Sequence, residues 1–214
     1  MEKINPETWS RREIYEFFSG VSDPFYMVTF RQDVTGIYRF AKANGLSFYH
    51  VMTWAVTKAV NEVDAFHYVC RGGEIFRLEE RSPSFTSLRP GEELFRIITM
   101  PWQPDIRAFC EAAARRADTQ NCFIQPELEG DSLLYISCLP WLDMSALTNE
   151  RDRLAPDAAE NSIPSIAWGK YEDWDGRKQL GISVEVNHRF IDGLHIGRFA
   201  EALSRINDSW MEQK

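Results

Sequence analysis

The chain has 214 residues, 44% of them hydrophobic and 13% aromatic, with a formal net charge of −8. That length can bury a sizeable core without disulfides or a structural metal, and the composition excludes a disordered chain. The acidic balance, with no basic cluster to offset it, excludes a polyanionic nucleic-acid partner. Cys70, Cys110, Cys122 and Cys138 stand singly, without the close pairs of zinc sites or redox motifs. The N-terminus lacks a basic start followed by an apolar run, and no stretch approaches the ~18 apolar residues of a membrane span. The expectation is one cytoplasmic domain over 1–214.

Asn5-Pro6 reads as a helix start with proline at its first position, leading through Trp9, Tyr15, Phe17 and Phe18 until Gly20 and Pro24 break it. A second start at Asp33 precedes Val34, Ile37 and Ala41, and Gly45 ends it. Ser47 then opens a longer helix with Val51, Met52, Ala55, Val56, Ala59, Val60 and Val63 on one face. An antiparallel meander is predicted next, from Phe66–Cys70, a Gly72-Gly73 turn, Glu74–Leu78, Ser84–Leu88 and Phe95–Met100. Pro104 starts a further helix through Ile106, Phe109, Cys110 and Ala113, and Ser132–Ser137 returns to strand before Pro140-Trp141. Residues 143–162 read as a polar surface loop. Leu180–His188 alternates as a strand, and after Asp192-Gly193 a helical stripe holds Ile196, Phe199, Ala200, Leu203, Ile206 and Trp210. Mixed strands with interspersed helices predict an α/β fold, a two-layer sandwich of a mixed, largely antiparallel sheet with helices packed on it.

Alternation puts Ile182, Val184, Val186 and His188 on one strand face, with Ser183, Glu185 and Asn187 on the other. A histidine ending an apolar row beside a loop is partly desolvated and reachable, and its ordinary pKa of ~6.5 suits a base near neutrality. The plainer alternative is a core histidine bonded to a backbone carbonyl. Asp192, four residues on, can cap the following helix, pair with a cation or orient His188. His188, Asp192 and His195 could in principle hold a metal, since Asp-x-x-His can share a helix face; no metal is expected.

The segment Asn187-His188-Arg189-Phe190-Ile191-Asp192-Gly193 is similar to the His-x-x-x-Asp-Gly signature of the coenzyme-A-dependent acyltransferases. Within that superfamily the chain resembles chloramphenicol acetyltransferase of the trimeric, catalytic-histidine kind. Trp9-Ser10-Arg11-Arg12-Glu13 resembles the family's opening motif. Phe48-Tyr49, Val60-Asn61, Phe85-Thr86, Ser137-x-x-Pro140-Trp141 and Gly169-Lys170-Tyr171 follow in the family's order. The spacing fits less closely at 123–126 and within 143–162.

The resemblance implies a direct attack of a substrate hydroxyl on acetyl-coenzyme A, with His188 as general base and Ser137 as donor to the developing oxyanion. By itself Ser137 could simply cap the backbone at a strand end. The resemblance makes Asp192 and Arg11 a buried ion pair that supports the active-site loop. Phe17, Phe18 and Phe95 match acceptor-pocket positions, although aromatics at helical spacing also read as plain core. Phe18 stands where the family has tyrosine, and Ser22 and Pro24 differ from its apolar lining. Lys170 matches a lysine that meets the coenzyme's 3′-phosphate, while Ser47 replaces its partner lysine and Ala167 a threonine. Asn187 replaces the first histidine of a His-His pair and points away from the His188 face. A homotrimer is implied, with the catalytic histidine from one subunit and most of the acceptor pocket from its neighbour. The function expected is acetyl transfer to chloramphenicol or a related hydroxyl compound. The alternatives are a different hydroxyl acceptor and a non-catalytic trimeric binding protein.

Overall fold

The computed structural model describes residues 1–155, 158 and 160–211. In chain order its elements are β1 (Glu2–Lys3), α1 (Arg12–Ser19), β2 (Phe25–Asp33), α2 (Thr35–Ala43), α3 (Phe48–Asn61), β3 (Tyr68–Arg71), β4 (Glu74–Arg77), β5 (Ser82–Ser87) and β6 (Arg96–Thr99). There follow α4 (Ile106–Thr119), β7 (Leu133–Leu139), β8 (Ser165–Gly169), β9 (Glu172–Trp174), β10 (Arg177–Asn187) and α5 (Gly193–Met211).

The helix starts follow local chemistry. Ser47 Oγ accepts from the His50 amide at the head of α3, and Asp105 Oδ1 accepts from the Ala108 amide, 2.8 Å away, at the head of α4. The Asn5-Pro6 start makes only a turn, in which Asn5 Oδ1 accepts from the Glu7 amide, and α1 begins later, at Arg12. Trp9 leaves the helix to pack on Tyr68, with ring centroids 5.1 Å apart.

The main sheet runs β2-β10-β8-β7-β5-β6, with β9 also paired to β10. Pairs β5–β7 and β7–β8 are parallel and the others antiparallel. The predicted meander therefore divides: β3 and β4 join β1 in a separate three-stranded sheet, while β5 and β6 pair in the main one. The reason is the neighbour each hairpin meets, since β7 adds to β5 and nothing joins it to β4. Sequence reasoning assigned no strand to Phe25–Asp33 or Ser165–Gly169, yet both pair with β10 along its two edges.

Helices α2, α3 and α5 cover the face that carries Ile182, Val184 and Val186, all fully buried in one hydrophobic cluster. Residues 144–149 and Asn161 lie over the opposite face of β10, where the sequence predicted a polar surface loop. There Ser183 Oγ accepts from the Leu147 amide at 2.9 Å, Glu185 Oε2 from the Asn149 amide at 3.0 Å, and Asn187 Nδ2 donates to the Asn161 carbonyl at 2.8 Å. The polar side of the alternation is thus buried and satisfied by backbone rather than left to water. Gly181 permits the close approach, because a Cβ there would sit 2.1 Å from the Met144 carbonyl oxygen.

Candidate active site

β10 ends at Asn187 and α5 begins at Gly193, so His188 and Asp192 flank one tight connection. The Asn187 carbonyl accepts from the Phe190 and Ile191 amides at 3.1 and 3.0 Å, closing the turn. Arg11 fixes it from outside: Nε donates to the Arg189 carbonyl at 2.8 Å, Nη2 to the His188 carbonyl at 3.1 Å, and Nη1 to Asp192 Oδ2 at 2.7 Å. Arg11 is 9% exposed, so this is a buried guanidinium with all three nitrogens engaged. Asp192 Oδ1 also accepts from the Leu194 amide at 3.1 Å, which caps α5. Burial works against the Asp192 charge, but the Arg11 hydrogen bond and the nearby positive groups outweigh it and hold the carboxyl below its ordinary range. His195 Nδ1 lies 3.0 Å from Asp192 Oδ1 and accepts from the Asp192 amide at 3.1 Å. Burial lowers the His195 pKa, so the contact is to a neutral ring. Arg11 supplies a fixed positive charge at Asp192, where the metal alternative would put its ion. Among the described residues no three His, Cys, Asp or Glu side chains gather as a metal site.

The His188 imidazole lies between two aromatic rings. Phe18, from α1, stacks on it with centroids 4.0 Å apart, and Tyr26, from β2, lies 4.3 Å away. Its amide donates to the Pro24 carbonyl at 2.8 Å. The ring therefore caps the apolar row of β10 from outside the core. Burial, then the Arg11 charge, lower its pKa against the opposing pull of Asp192. Tyr26 escaped sequence reasoning because β2 did; the alternation Tyr26, Val28, Phe30 was the available signal. Its hydroxyl donates to the Ile191 carbonyl at 3.4 Å, and burial, with the Asp192 charge, pushes its pKa up to about 12. Phe17 is 71% exposed and meets Phe18 edge-on, which sets aside the plain-core reading for it.

Ser137 lies elsewhere. In the sheet register Ala167 stands between Ser137 on β7 and Ser183 on β10. His188 is five residues beyond Ser183, so its Cα is about 17 Å along and about 10 Å across from that of Ser137, roughly 20 Å in all. Ser137 sits where the sheet opens: β5 and β7 pair only as far as Phe85 and Ile136, whereas β7 stays paired with β8 to Leu139. The opening leads into a cleft of about 1420 Å³ lined by Ser137, Phe95, Ser47, Trp141, Lys170 and Tyr171. Phe95 is 46% exposed and packs edge-on against Phe123. Lys170 is exposed at the rim, with its ammonium 2.9 Å from Glu172 Oε1. Ala167, replacing a threonine, is buried beside Ser137.

One chain thus carries two separate constellations: His188, Asp192 and Arg11 with Phe17 and Phe18, and Ser137 with Phe95 and Lys170. The expectation that most of the acceptor pocket faces His188 from a neighbouring subunit needs correction for Phe17 and Phe18. Phe18 stacks on the histidine of its own chain, because α1 and β2 both pack against the end of β10.

Known proteins give the same outline. The family model of chloramphenicol acetyltransferase matches residues 1–204. Chloramphenicol acetyltransferase 3 of Escherichia coli is 26% identical over 210 residues, covering 97% of each chain. A chloramphenicol acetyltransferase of Clostridium perfringens is 25% identical, covering 97% of this chain and 99% of its own. Among solved structures, a chloramphenicol acetyltransferase superposes with a TM-score of 0.81 at 24% identity, covering 96% of this chain and 99% of the other. The cubic core of the pyruvate dehydrogenase multienzyme complex shares the fold more distantly, with a TM-score of 0.66 at 18% identity, over 90% of this chain and 85% of that one.

Proposed function

The chain belongs to the chloramphenicol acetyltransferase family and is an acetyl-coenzyme-A-dependent O-acetyltransferase; we propose that it acetylates a hydroxyl of chloramphenicol or a related small molecule with His188 as general base. The observation that carries the reading is the Arg11–Asp192–His188 arrangement. A guanidinium bonded to the His188 and Arg189 carbonyls and to Asp192 holds the loop, while burial keeps the imidazole neutral and able to accept a proton.

The cleft of about 1420 Å³ exceeds the roughly 300–1,000 Å³ of drug-sized sites, so it has room for an extended cofactor beside an acceptor. Lys170 at its rim would meet a phosphate of the coenzyme. Acetyl-coenzyme A supplies a thioester whose carbonyl carbon bonds to the acceptor oxygen as the carbon–sulfur bond breaks. His188 takes the hydroxyl proton and returns it to the departing thiolate. Ser137 donates its hydroxyl to the thioester oxygen as charge develops there. Arg11 and Asp192 hold the loop and move no proton.

Within one chain His188 and Ser137 stand too far apart to share a substrate, so we assign each complete site to two copies. His188, Phe17 and Phe18 come from one subunit, and Ser137, Phe95 and Lys170 from the next. A homotrimer closes such a head-to-tail contact. The outer edge of β2, unpaired in the single chain, and the exposed Phe17 are available for that contact. Residues 1–214 are assigned to one domain, since one buried cluster runs from Val34 to Ile206. No helix among the described residues is long and apolar enough to cross a membrane. The test is thiol release from acetyl-coenzyme A with chloramphenicol and a panel of hydroxyl acceptors. Release with any of them, lost in His188→Ala, supports the reading. A folded protein that releases thiol with none is the non-catalytic alternative.

A further inference from the structure

The sheet face that carries Ser137, turned away from the helices, holds a second polar group. Register sets Ser84 of β5 between Thr99 of β6 and Tyr135 of β7, so these three side chains share one face. Tyr135 lies two residues before Ser137 on the same side of β7, about 7 Å along the strand. Glu129, just before β7, reaches over this patch and lines the same cleft as Ser137, Tyr135 and Phe95.

The carboxylate is held at both oxygens. Thr99 Oγ1 lies 2.8 Å from Glu129 Oε1 and 2.9 Å from Ser84 Oγ. An ionised carboxylate only accepts, so the single Thr99 proton goes to Glu129 and Thr99 accepts from Ser84. Tyr135 donates its hydroxyl to Glu129 Oε2 at 3.4 Å. Burial, then the Glu129 charge, push the Tyr135 pKa up to about 12, so the phenol keeps that proton. Ser84 and Thr99 are buried and Glu129 is half-buried. Among the described residues its side-chain hydrogen bonds all come from hydroxyl groups. A carboxylate has about four acceptor sites, so two remain for the cleft.

The cations that approach this face are engaged elsewhere. Arg151 Nε bonds Glu185 Oε1 at 2.5 Å with its guanidinium 3.3 Å over the Phe25 ring, and Arg116 Nη1 donates to the Thr99 carbonyl at 3.4 Å. A half-buried charge fixed by neutral donors gains most from a cation brought by the ligand. The exposed Phe95 and Phe123 rings, 5.5 Å apart in the same cleft, suit an alkylammonium as well. Lys170 lies at the rim next to Tyr171, which packs on Phe48 of α3, so the phosphate end of the coenzyme belongs to the helix side of the sheet, away from Glu129.

We propose that the cleft receives an ammonium group of the acceptor beside Ser137, with Glu129 as its counter-ion, so that the enzyme acetylates amino alcohols in preference to neutral alcohols. This assignment rests on the acyl-transfer reading and narrows it to a class of acceptor.

The experiment compares 4-(dimethylaminomethyl)benzyl alcohol, protonated at neutral pH, with its uncharged isostere 4-isobutylbenzyl alcohol, alongside chloramphenicol. The tertiary amine forms no stable amide, so thiol release reports the hydroxyl alone. Affinity is measured by calorimetry on the full chain loaded with coenzyme A, and turnover by thiol release from acetyl-coenzyme A. A charge-assisted contact should favour the amine by about tenfold or more in Kd and in kcat/KM. Glu129→Gln should bring that ratio close to one, Glu129→Asp should keep part of it, and Ile97→Lys, two residues from Thr99 on the same face, should abolish it while Glu129 stays in place. An isostere bound as tightly as the amine, no binding of the amine, or a folded Glu129→Gln protein that keeps the preference would overturn the assignment. If Glu129→Gln does not fold, the wild-type ratio and Ile97→Lys decide it. Thiol release with chloramphenicol but no preference for the amine would sink this assignment alone. Amine-selective binding without thiol release from any acceptor would overturn the acyl-transfer reading and the acceptor class together, leaving only a cation site.

Discussion

Arg11 Nη1 and Asp192 Oδ2 lie 2.7 Å apart, joining the start of α1 to the start of α5 across 181 positions of sequence. The same guanidinium bonds two carbonyls of the connection that carries His188, so the pair sets where the imidazole stands.

Removing either partner should destabilise the protein. A fully buried pair broken on one side typically costs about 3–5 kcal/mol. Asp192 keeps 30% of its side-chain exposure, so water reduces the loss to about 2–3 kcal/mol for Arg11→Ala or Asp192→Ala. The double variant should lose less than the sum, and a denaturation cycle with strictly additive losses would show that the two do not couple.

His188→Ala should leave a folded protein with thiol release reduced at least ~10²-fold. Because the base must be neutral to act and its pKa is lowered by burial and by Arg11, kcat/KM should hold steady through neutrality. It should fall only below the ordinary imidazole value of about 6.5. Phe18→Ala uncovers one face of the ring and should move the inflection upward. A wild-type inflection above that value would contradict the account.

Ser137→Ala should lower kcat by about 10²–10³ with little change in acceptor affinity, since an oxyanion contact acts mainly in the transition state. If the serine were only a strand-end cap, the melting temperature would drop while the rate per folded site stayed intact.

Co-refolding His188→Ala with Ser137→Ala chains tests the shared site. At equal amounts and random mixing, about a quarter of the interfaces join an intact His188 to an intact Ser137, so about a quarter of wild-type activity should return from two inactive parents. Pairing His188→Ala with a Phe18 variant should restore nothing, because both lesions fall on the same side of the interface. A monomer by sedimentation, or mixtures no more active than their parents, would rule out assembly of the site from two chains.

Much of this was open to local reading. Ser47 as a cap, the apolar stripes of α3 and α5 and the alternation along β10 are set by neighbours within a few residues, and the His188–Gly193 motif lies in one continuous stretch. Strand β8 was not visible that way, and β2 offered only the alternation Tyr26, Val28, Phe30. Ser165–Gly169 is too short to show a period, and Phe25–Asp33 follows the break at Pro24 and carries a mixed burial pattern. Each becomes a strand because β10 offers it an edge. The coil over Ser183 and Glu185 likewise depends on backbone donors that approach from more than thirty residues away. Sequence therefore singled out the candidate site residues, through chemical type and local spacing. Tertiary structure alone decided their company: Phe18 beside its own His188, and Ser137 in another cleft. Strand order and register act between segments distant in sequence, and no local pattern encodes them.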